Sequence, residues 1–470
     1  MTHAQRFCPV WCFAALIGYA VFLFVPQVLN DGDTYFHIAA GQWILDHGVI
    51  PRTDPFSYTF AGAPWVAHEW LAEIIMALAY RLGSWNGVVI LFGLSTALTL
   101  GMLERYLTRW LTPLSATITL ILAAACLSGS LLARPHMLAL PLLEIWTAGL
   151  LIARERGQAP SFFLLPVMLL WANLHGGFIF GLALIGPFAL EAMIAAKTQW
   201  PQALCRWGIF GTAAVATAIV TPQGWHGLLF PLQLMDIKQL HAMVEWQPTN
   251  FLKLQPIDLA LIALLYIGFT RGIRLPAIRL LVLTGVLYLA LQYVRCQMLA
   301  SIVGALMLAQ PLVIALGATS TKIQKAKYEL PIMGGFVVLV AMLTVISLTH
   351  PIVRTDGPTS PVSAFAHVPE DLAAMPVLND QAFGAYLIFK GVRPFIDGRI
   401  DMYGDAFMTE YLEMMRPDRK RLEQTLKTRD IRWVMIAADA PATAVMDRLE
   451  GWHRLYGDTT AVVYVRSTAK

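Results

Sequence analysis

Charged residues are scarce in this sequence: Asp, Glu, Lys and Arg make up 14% of its 470 residues, whereas roughly 25% is usual for a soluble domain. Hydrophobic residues make up 57%. A core of this length could not absorb so much apolar surface and leave a polar exterior. A soluble protein is therefore excluded, and a polytopic membrane protein is predicted. The small net charge of +4 gives no support for nucleic-acid binding.

Motifs of soluble nucleotide and zinc enzymes are also absent. The sequence has no phosphate-binding P-loop, no Gly-rich dinucleotide fingerprint and no HExxH zinc motif. The five cysteines lie in or beside apolar segments without metal-ligand spacing, so no disulfide framework is predicted. The lack of a convincing internal repeat argues modestly against transporter folds built from duplicated halves.

Apolar runs recur along the first three quarters of the chain and predict about eleven transmembrane helices within a domain spanning residues 1–350. The approximate spans are 9–29, 86–104, 112–131, 136–153, 161–174, 178–196, 207–221, 256–270, 276–293, 296–317 and 331–349. A further apolar stretch, Trp70–Leu82, is ambiguous on hydropathy alone.

Basic residues orient these helices, because Lys and Arg concentrate in cytoplasmic loops. They recur in alternate loops, at Arg105, Arg109, Arg154, Arg156, Lys197, Arg206, Arg271, Arg274, Arg279, Lys322, Lys325 and Lys327. All these loops share one side with Arg6 only if Trp70–Leu82 does not cross the membrane. We therefore predict an interfacial amphipathic helix there, within a first outer loop at 31–82. The N-terminus is then cytoplasmic, and the C-terminal region faces outward.

The composition changes at about residue 351. The Pro/Ser/Thr-rich linker "HPIVRTDGPTSPVSAF" precedes a region, 351–470, that we predict to be a small soluble α/β domain. "YLIF", "RWVMIAA" and "TAVVYVRS" predict strands, and "GDAFMTEYLEMMRP" and "PATAVMDRLEGWHRLY" have the apolar spacing of helices.

Polar chemistry collects in the predicted outer loops, whereas the cytoplasmic loops carry mainly Lys and Arg. The candidate residues are Asp31, Asp33, His37, His68, Glu69, Arg134, His136, Asn173, His175, Glu245 and Arg295. Ionisable groups near a membrane core cost about 2.5–3.5 kcal/mol each, so they persist where they pair, meet water or do work. Clusters at one rim predict a single polar cavity open to the outside, whereas channels and pumps more often place such groups at mid-membrane.

The first cluster lies at the mouth of the first predicted helix. Asp33 suits a general base or a metal ligand, and Asp31 is close enough to share a cation or to raise the pKa of Asp33. His37 lies one helical turn after Asp33, on the same face. The alternative is that both aspartates merely cap the following helix, and the two roles are compatible.

The other candidates also have structural alternatives. Arg134, His136 and Arg295 are candidates for binding a phosphate group, since the planar donor fork of arginine matches phosphate oxygens. The alternative is that the arginines are anchors that extend to the lipid headgroups. His68 and Glu69 are candidates for the functional site. The alternative for Glu69 is structural, because a glutamate in the first turn of a helix is stabilised by the helix dipole. His175 precedes Gly176-Gly177 and could be a packed polar kink. The segment "RPFIDGRIDMYGD" contains the charged residues Arg393, Asp397, Arg399, Asp401 and Asp405. We predict a turn held together by ion pairs, and the functional alternative is that these residues contact the cavity or an acceptor.

The acidic "D-x-D" after the first helix, followed by a helix beginning "TYFH", resembles the polyprenyl-linked membrane glycosyltransferases of the GT-C superfamily. These include oligosaccharyltransferases, protein mannosyltransferases and the lipid A aminoarabinose transferase. "GVIPRTDPFSYTFAGAPWVAHEWLAEIIMALAYRLG" resembles their first outer loop, and the architecture fits along most of the chain. The chain most resembles bacterial members that carry "NLHGG" and "FIDGR" segments.

The resemblance implies a glycosyltransferase that moves a sugar from a polyprenyl-phosphate donor to a lipid, glycan or protein acceptor, with membrane lipid as a further partner. It implies Asp33 as the acceptor base or metal-positioning residue, helped by Asp31, His37 and Glu69, and a possible divalent cation, Mg or Mn, at Asp31 and Asp33. It also implies, by position, that Arg134 and Arg295 bind the lipid phosphate.

The sequence departs from the family pattern at two points. Glu69 matches only loosely a Glu-Lys-Pro-Pro sequence of the aminoarabinose enzymes, and the Trp-Trp-Asp motif of oligosaccharyltransferases is absent, which argues against protein N-glycosylation. A transporter or flippase of a lipid-linked or anionic substrate, and a non-catalytic scaffold of an envelope assembly, remain alternative functions.

Overall fold

The computed structural model describes residues 10–317 and 329–467, so Arg6 and the basic loop at 322–327 lie outside it. Its first part is helical throughout. The helices are α1 (Val10–Phe24), α2 (Asp33–His47), α3 (Trp70–Leu107), α4 (Pro113–Leu127), α5 (Pro135–Glu155), α6 (Leu165–Leu174), α7 (Phe178–Ala196), α8 (Trp200–Ala218), α9 (Trp225–Leu234), α10 (Pro256–Arg271), α11 (Ala277–Gln292), α12 (Gln297–Ala315) and α13 (Glu329–Thr349).

Within the described ranges, six helical segments are long and apolar enough to cross a membrane. They are Trp70–Leu107, Pro113–Ser130, Pro135–Glu155, Phe178–Ala218, Val294–Ala315 and Pro331–Thr349. Three shorter apolar helices accompany them, at Val10–Phe24, Phe162–Leu174 and Ala277–Gln292. The chain is therefore a largely helical, multi-pass membrane protein, and its apolar helices lie where the sequence predicts spans.

A backbone break divides α3 into two arms. Gly83 has φ −146° and ψ 19°, and Ser84 has φ 52° and ψ −141°, so neither residue is helical. A serine at positive φ interrupts the helical hydrogen-bond ladder. The break lies directly after Leu82, where the sequence predicts the interfacial helix to end.

The contact between α2 and α3 depends on a glycine. A Cβ built at Gly41 would lie 1.9 Å from the backbone oxygen of Glu73, so only glycine allows this approach. The two helices therefore lie backbone to backbone. As a result, the side chains of His37 and Glu73 face each other.

The C-terminal part carries a four-stranded sheet of order β1-β2-β4-β3, with β1 parallel to β2 and the other pairs antiparallel. The strands are β1 (Val377–Asn379), β2 (Trp433–Ala437), β3 (Trp452–Gly457) and β4 (Ala461–Arg466). The helices are α14 (Val362–Ala366), α15 (Glu370–Ala373), α16 (Gln381–Phe389), α17 (Ile400–Met414), α18 (Arg419–Thr428) and α19 (Pro441–Met446). Both faces of β2 are buried, which explains its continuous apolar sequence.

Two predictions for this part are wrong. "YLIF" belongs to α16 rather than to a strand, because Asp380 caps that helix and Tyr386 and Phe389 pack against Tyr35. A short buried apolar run does not distinguish helix from strand by its pattern. The helix predicted from "PATAVMDRLEGWHRLY" ends at Met446, and the chain turns at Gly451, with φ 78°, into β3. The strands predicted from "RWVMIAA" and "TAVVYVRS" are present as β2 and β4.

Candidate active site

A cavity of about 440 Å³ lies among the start of α2, the start of α3, the start of α5, the loop before α10 and the start of α17. Its charged and imidazole-bearing lining residues are Asp33, His37, His68, Glu69, Glu73, Arg134, His136, Glu245, Arg295, Arg399 and Asp401. Clusters that lie far apart in the sequence therefore meet in one polar cavity.

Arg134 is the centre of the cavity's charge network. It precedes Pro135 and has the extended backbone (φ −128°, ψ 155°) that this position favours. Its guanidinium lies 2.7 Å from Asp33 Oδ2, 3.4 Å from Asp31 Oδ2 and 2.8 Å from Glu245 Oε2. Arg295 Nη1 lies 3.4 Å from the other oxygen of Glu245. Three carboxylates thus share two arginines, so negative charge is in excess here.

Asp31 both caps α2 and takes part in this network. Its Oδ1 accepts a hydrogen bond of 2.7 Å from the backbone N–H of Asp33. Burial raises the pKa of Asp33 to about 6, since the nearby Arg134 only partly offsets the desolvation and Asp31 adds repulsion. The two predicted roles, helix cap and site residue, are therefore compatible in the structure.

A second cluster joins imidazoles to carboxylates at the start of α3. Glu69 lies 3.7 Å from His37, 3.9 Å from His68 and 3.7 Å from His175. His37 Nδ1 also lies 3.5 Å from Glu73 Oε1, a contact that the sequence analysis missed. Glu73 follows Glu69 by one helical turn, and this spacing alone could have predicted that it lies on the same face as Glu69.

The surroundings shift the pKa values of His37 and His175 in opposite directions. Burial opposes the charged form of His37, but the hydrogen bond to Glu73 and the charge of Glu69 outweigh it and raise the pKa of His37. Burial prevails at His175 and lowers its pKa to about 3. The N–H of Gly177 donates to His175 Nδ1 at 3.0 Å, which requires that nitrogen to be unprotonated. The cluster therefore holds two imidazoles whose pKa values are shifted in opposite directions around one carboxylate.

An apolar cavity of about 140 Å³ adjoins the polar one. The two share His68, Glu69, His136, Trp246 and Arg295 in their walls. Apolar side chains supply most of the rest, including Leu140, Leu143, Trp171, Phe180, Phe230 and Leu299. The Arg295 guanidinium lies 4.4 Å from the ring centre of Trp246. A charged site therefore opens directly onto an apolar slot.

The "FIDGR" segment forms one wall of the polar cavity. Arg399 lies 2.7 Å from Asp397 and 2.7 Å from Asp54 of the first outer loop, so the predicted ion-paired turn is present. Gly398 and Asp401 line the cavity, so the contact considered as the alternative is present as well. A Cβ at Gly398 would lie 2.6 Å from Asp33 Oδ1, which leaves no room for a side chain.

Asn173 lies apart from the residues that were predicted with it. Its Oδ1 accepts from Trp70 Nε1 at 3.0 Å, and its amide donates to the backbone oxygens of Leu169 and Val220. All its polar atoms are thus occupied outside the polar cavity. The bond to Trp70 holds α3 against α6, and a substrate-binding role for Asn173 stays a prediction.

The residues predicted to hold a divalent cation do not fit one as they stand. Over residues 10–317 and 329–467, no group of three or more His, Cys, Asp or Glu side chains is arranged to hold a metal. Arg134 already pairs with Oδ2 of both Asp31 and Asp33, so a metal ion bound to these oxygens would have to displace its guanidinium. A site for Mg or Mn there stays a prediction, and no chemistry below depends on it.

No family model matches the chain, and no curated protein matches its sequence. Its fold, however, is similar to solved structures. The oligosaccharyltransferase AglB from Archaeoglobus fulgidus, in complex with an inhibitory peptide and a dolichol-phosphate, matches with a TM-score of 0.55 and 10% identity, over 97% of this chain and 74% of that one. ArnT from Cupriavidus metallidurans, bound to undecaprenyl phosphate, matches with a TM-score of 0.55 and 14% identity, over 97% of both chains.

The apo form of the Archaeoglobus fulgidus oligosaccharyltransferase matches with a TM-score of 0.53 and 11% identity, over 97% of this chain and 74% of that one. These neighbours are GT-C polyprenyl-linked glycosyltransferases, so the resemblance seen in the sequence is confirmed for the fold. At this level of identity the likeness concerns the fold alone.

Proposed function

We propose that this protein transfers a sugar from a polyprenyl-phosphate donor to a lipid, glycan or protein acceptor on the outer face of a bacterial inner membrane. The observation that carries the proposal is the join between the two cavities: Arg295 lines both, while Arg134 and Asp33 line the polar cavity that adjoins the apolar slot. A donor of this class needs that pairing, because it combines a phosphate with an apolar chain. Two structural neighbours were solved with dolichol-phosphate and undecaprenyl phosphate, which supports the same class of lipid here.

In this proposal the two arginines hold the donor phosphate. Arginine suits this task because its planar fork donates two parallel hydrogen bonds to phosphate oxygens. In the free protein, Glu245 lies between Arg134 and Arg295 and occupies the position that the phosphate would take. Binding therefore exchanges a carboxylate for a phosphate, and the apolar slot accepts the first isoprene units of the chain.

Asp33 serves as the base. Its carboxylate takes the proton of an acceptor hydroxyl, whose oxygen bonds to the anomeric carbon of the sugar. The bond from that carbon to the phosphate oxygen breaks, and the polyprenyl phosphate leaves with the bonding electrons. Arg134 and Arg295 stabilise the charge that develops on the leaving group. A pKa of about 6 leaves Asp33 ionised at neutral pH and still able to accept a proton, as general-base catalysis requires.

We further propose the topology that the sequence predicts: about eleven spans, a cytoplasmic N-terminus, and a periplasmic domain at 351–470. The positions of the apolar helices support the span count. The two ends of α5 support the orientation, because Arg134 and His136 at one end line the cavity, while Arg154 lies in the last helical turn at the other end, close to Arg156.

The experiment that tests the function is donor turnover. Purified protein in nanodiscs is offered a panel of radiolabelled polyprenyl-phosphate sugars, with membrane extract as the acceptor source. The proposal expects label to leave one donor lipid in the presence of extract. Absence of turnover across the panel, together with cysteine labelling of the cavity from alternate sides of the membrane, would instead favour a transporter.

A further inference from the structure

One carboxyl group in the polar cavity has no side-chain partner: Asp401 accepts a hydrogen bond from its own backbone N–H. Asp33, Glu69, Glu73 and Glu245 each lie within 3.9 Å of an arginine or imidazole nitrogen. Asp401 differs from all four. Among the described residues, its side chain makes no hydrogen bond or ion pair with another side chain, although it lines the same cavity.

The segment that carries Asp401 is held rigidly. Arg399 is tied to Asp397 and Asp54, and the hydroxyl of Tyr403 donates to Asp397 at 2.8 Å. Gly398, three residues before Asp401, packs directly against Asp33. The position of Asp401 relative to Asp33 is therefore fixed by contacts that do not involve the Asp401 carboxyl group.

Helix stabilisation explains only part of this arrangement. Asp401 lies in the first turn of α17, where a negative charge is favoured by the helix dipole. That preference accounts for an aspartate at this position. It does not account for a carboxyl group in the wall of a cavity whose other carboxyl groups are all paired, and a partly desolvated polar group costs free energy until it finds a partner.

The chemistry of the cavity restricts what that partner is. The nearest arginine along the chain, Arg399, is already engaged by Asp54 and Asp397, so it does not pair with Asp401. A phosphate would be repelled by this carboxyl group and belongs with Arg134 and Arg295. A neutral hydroxyl group remains, because it can both donate to and accept from a carboxyl group.

We propose that Asp401 binds a sugar hydroxyl group, and that the C-terminal segment thereby contributes a carbohydrate subsite to the cavity. This inference rests on the proposed function. The hydroxyl belongs either to the sugar being transferred or to a sugar of the acceptor, and both sources present the same chemistry. Asp401 is a binding residue in this assignment, and Asp33 remains the base.

The electrostatics of the site agree with a neutral partner. Burial raises the pKa of Asp401, and the charges of His68 and Arg399, with the hydrogen bond from its own backbone N–H, offset that rise only in part. Asp397, also facing this group, adds repulsion. A carboxyl group in this environment gains from a hydrogen bond that it can make in either protonation state.

The test compares wild type with Asp401→Ala, Asp401→Asn and the control Glu410→Ala, which removes an exposed carboxyl group from the same helix. The full-length proteins in nanodiscs are titrated with bare undecaprenyl phosphate. They are then assayed for KM with undecaprenyl-phosphate-linked hexoses and, separately, with membrane extract as acceptor. The unfolding temperature of each variant is measured alongside.

We expect Asp401→Ala to raise one KM by about fivefold to thirtyfold, the loss of one or two hydrogen bonds. A raised donor KM assigns the hydroxyl to the transferred sugar, and a raised acceptor KM assigns it to the acceptor. Affinity for bare undecaprenyl phosphate should stay within twofold, and Asp401→Asn should keep most of the wild-type KM because its amide offers similar polar atoms.

Wild-type KM values for both substrates in a folded Asp401→Ala variant would overturn the assignment. If the alanine variant does not fold, Asp401→Glu displaces the carboxyl group by one methylene, and unchanged KM values there would count equally against it. Failure of the wild type to bind bare undecaprenyl phosphate is a separate result. It would reject the lipid-phosphate site, and the Asp401 subsite with it.

Discussion

The two ends of α5 carry ion clusters of opposite character. At one end Arg154 and Arg279 share the single carboxylate of Glu191, with nitrogen–oxygen distances of 3.2 and 2.9 Å. At the other end, about 30 Å away along the helix, Arg134 is shared by the carboxylates of Asp31, Asp33 and Glu245.

The surroundings of the two clusters differ as well. The side chains of the Glu191 cluster are 9–12% exposed and join α5, α7 and α11. Asp33 and Glu245 are about three times as exposed, at 30% and 31%, and face a cavity. Similar residue types thus have different roles: enclosed charges hold helices together, whereas more exposed charges at a cavity can exchange partners with a ligand.

Removal of the central arginine should have the largest effect. Arg134→Ala deletes the group that contacts the donor phosphate and leaves three carboxylates without their shared cation. We expect turnover to fall about 10²- to 10³-fold, the usual loss when one stabilising donor is removed from a transition state. Titration with undecaprenyl phosphate should show weaker binding, and Arg134→Lys should recover only part of it, since a lysine lacks the donor fork. Unchanged lipid affinity in Arg134→Ala would remove this end of α5 from the mechanism.

The pH dependence of turnover tests the role of Asp33 in the cavity. Because burial raises the pKa of Asp33 to about 6, the base is ionised above that pH and protonated below it. The value of kcat/KM should therefore be constant near pH 7.5 and fall about tenfold for each pH unit below 6. A profile that remains flat down to pH 4.5 would be inconsistent with Asp33 as the titrating base.

A substitution in the Glu191 cluster should reduce the stability of the protein rather than its activity. Arg279→Ala leaves Glu191 paired with Arg154 alone, so we expect a loss of about 1–3 kcal/mol in the free energy of unfolding. Denaturation in detergent measures this loss. Turnover per folded molecule should match wild type, and the pH profile should keep its midpoint. A selective loss of turnover in this variant would show that the Glu191 cluster is not merely structural.

The sequence predicts the polar cavity because basic residues recur in alternate loops, whereas the other polar candidates lie in the loops between them. Basic residues mark one side of the membrane, and residues such as Asp33, His68 and Glu245 then fall together on the other side without any knowledge of packing. Glu73 was missed because it lies inside an apolar helix, and only the close contact at Gly41 brings its side chain to His37.

Local patterns were less informative where packing decides the outcome. "YLIF" is as apolar as a buried strand, but the aromatic contacts with Tyr35 are made by a helix. Asn173 was predicted together with the site residues, but its hydrogen bonds to Trp70 and Val220 lie away from the polar cavity. The place of Asp401 in the cavity follows from ion pairs between residues more than 300 positions apart, such as Asp54 and Arg399, which no local pattern reveals.

The most direct test of the account is Asp33→Asn, which keeps the size of the side chain and removes its ability to act as a base. Turnover and undecaprenyl phosphate affinity are measured on the same nanodisc preparation. We predict that turnover falls by at least about 10²-fold while the lipid still binds within a few fold of wild type. Transfer at the wild-type rate would contradict the assignment of Asp33 as the base and, with it, the central claim that this cavity is a glycosyl-transfer site.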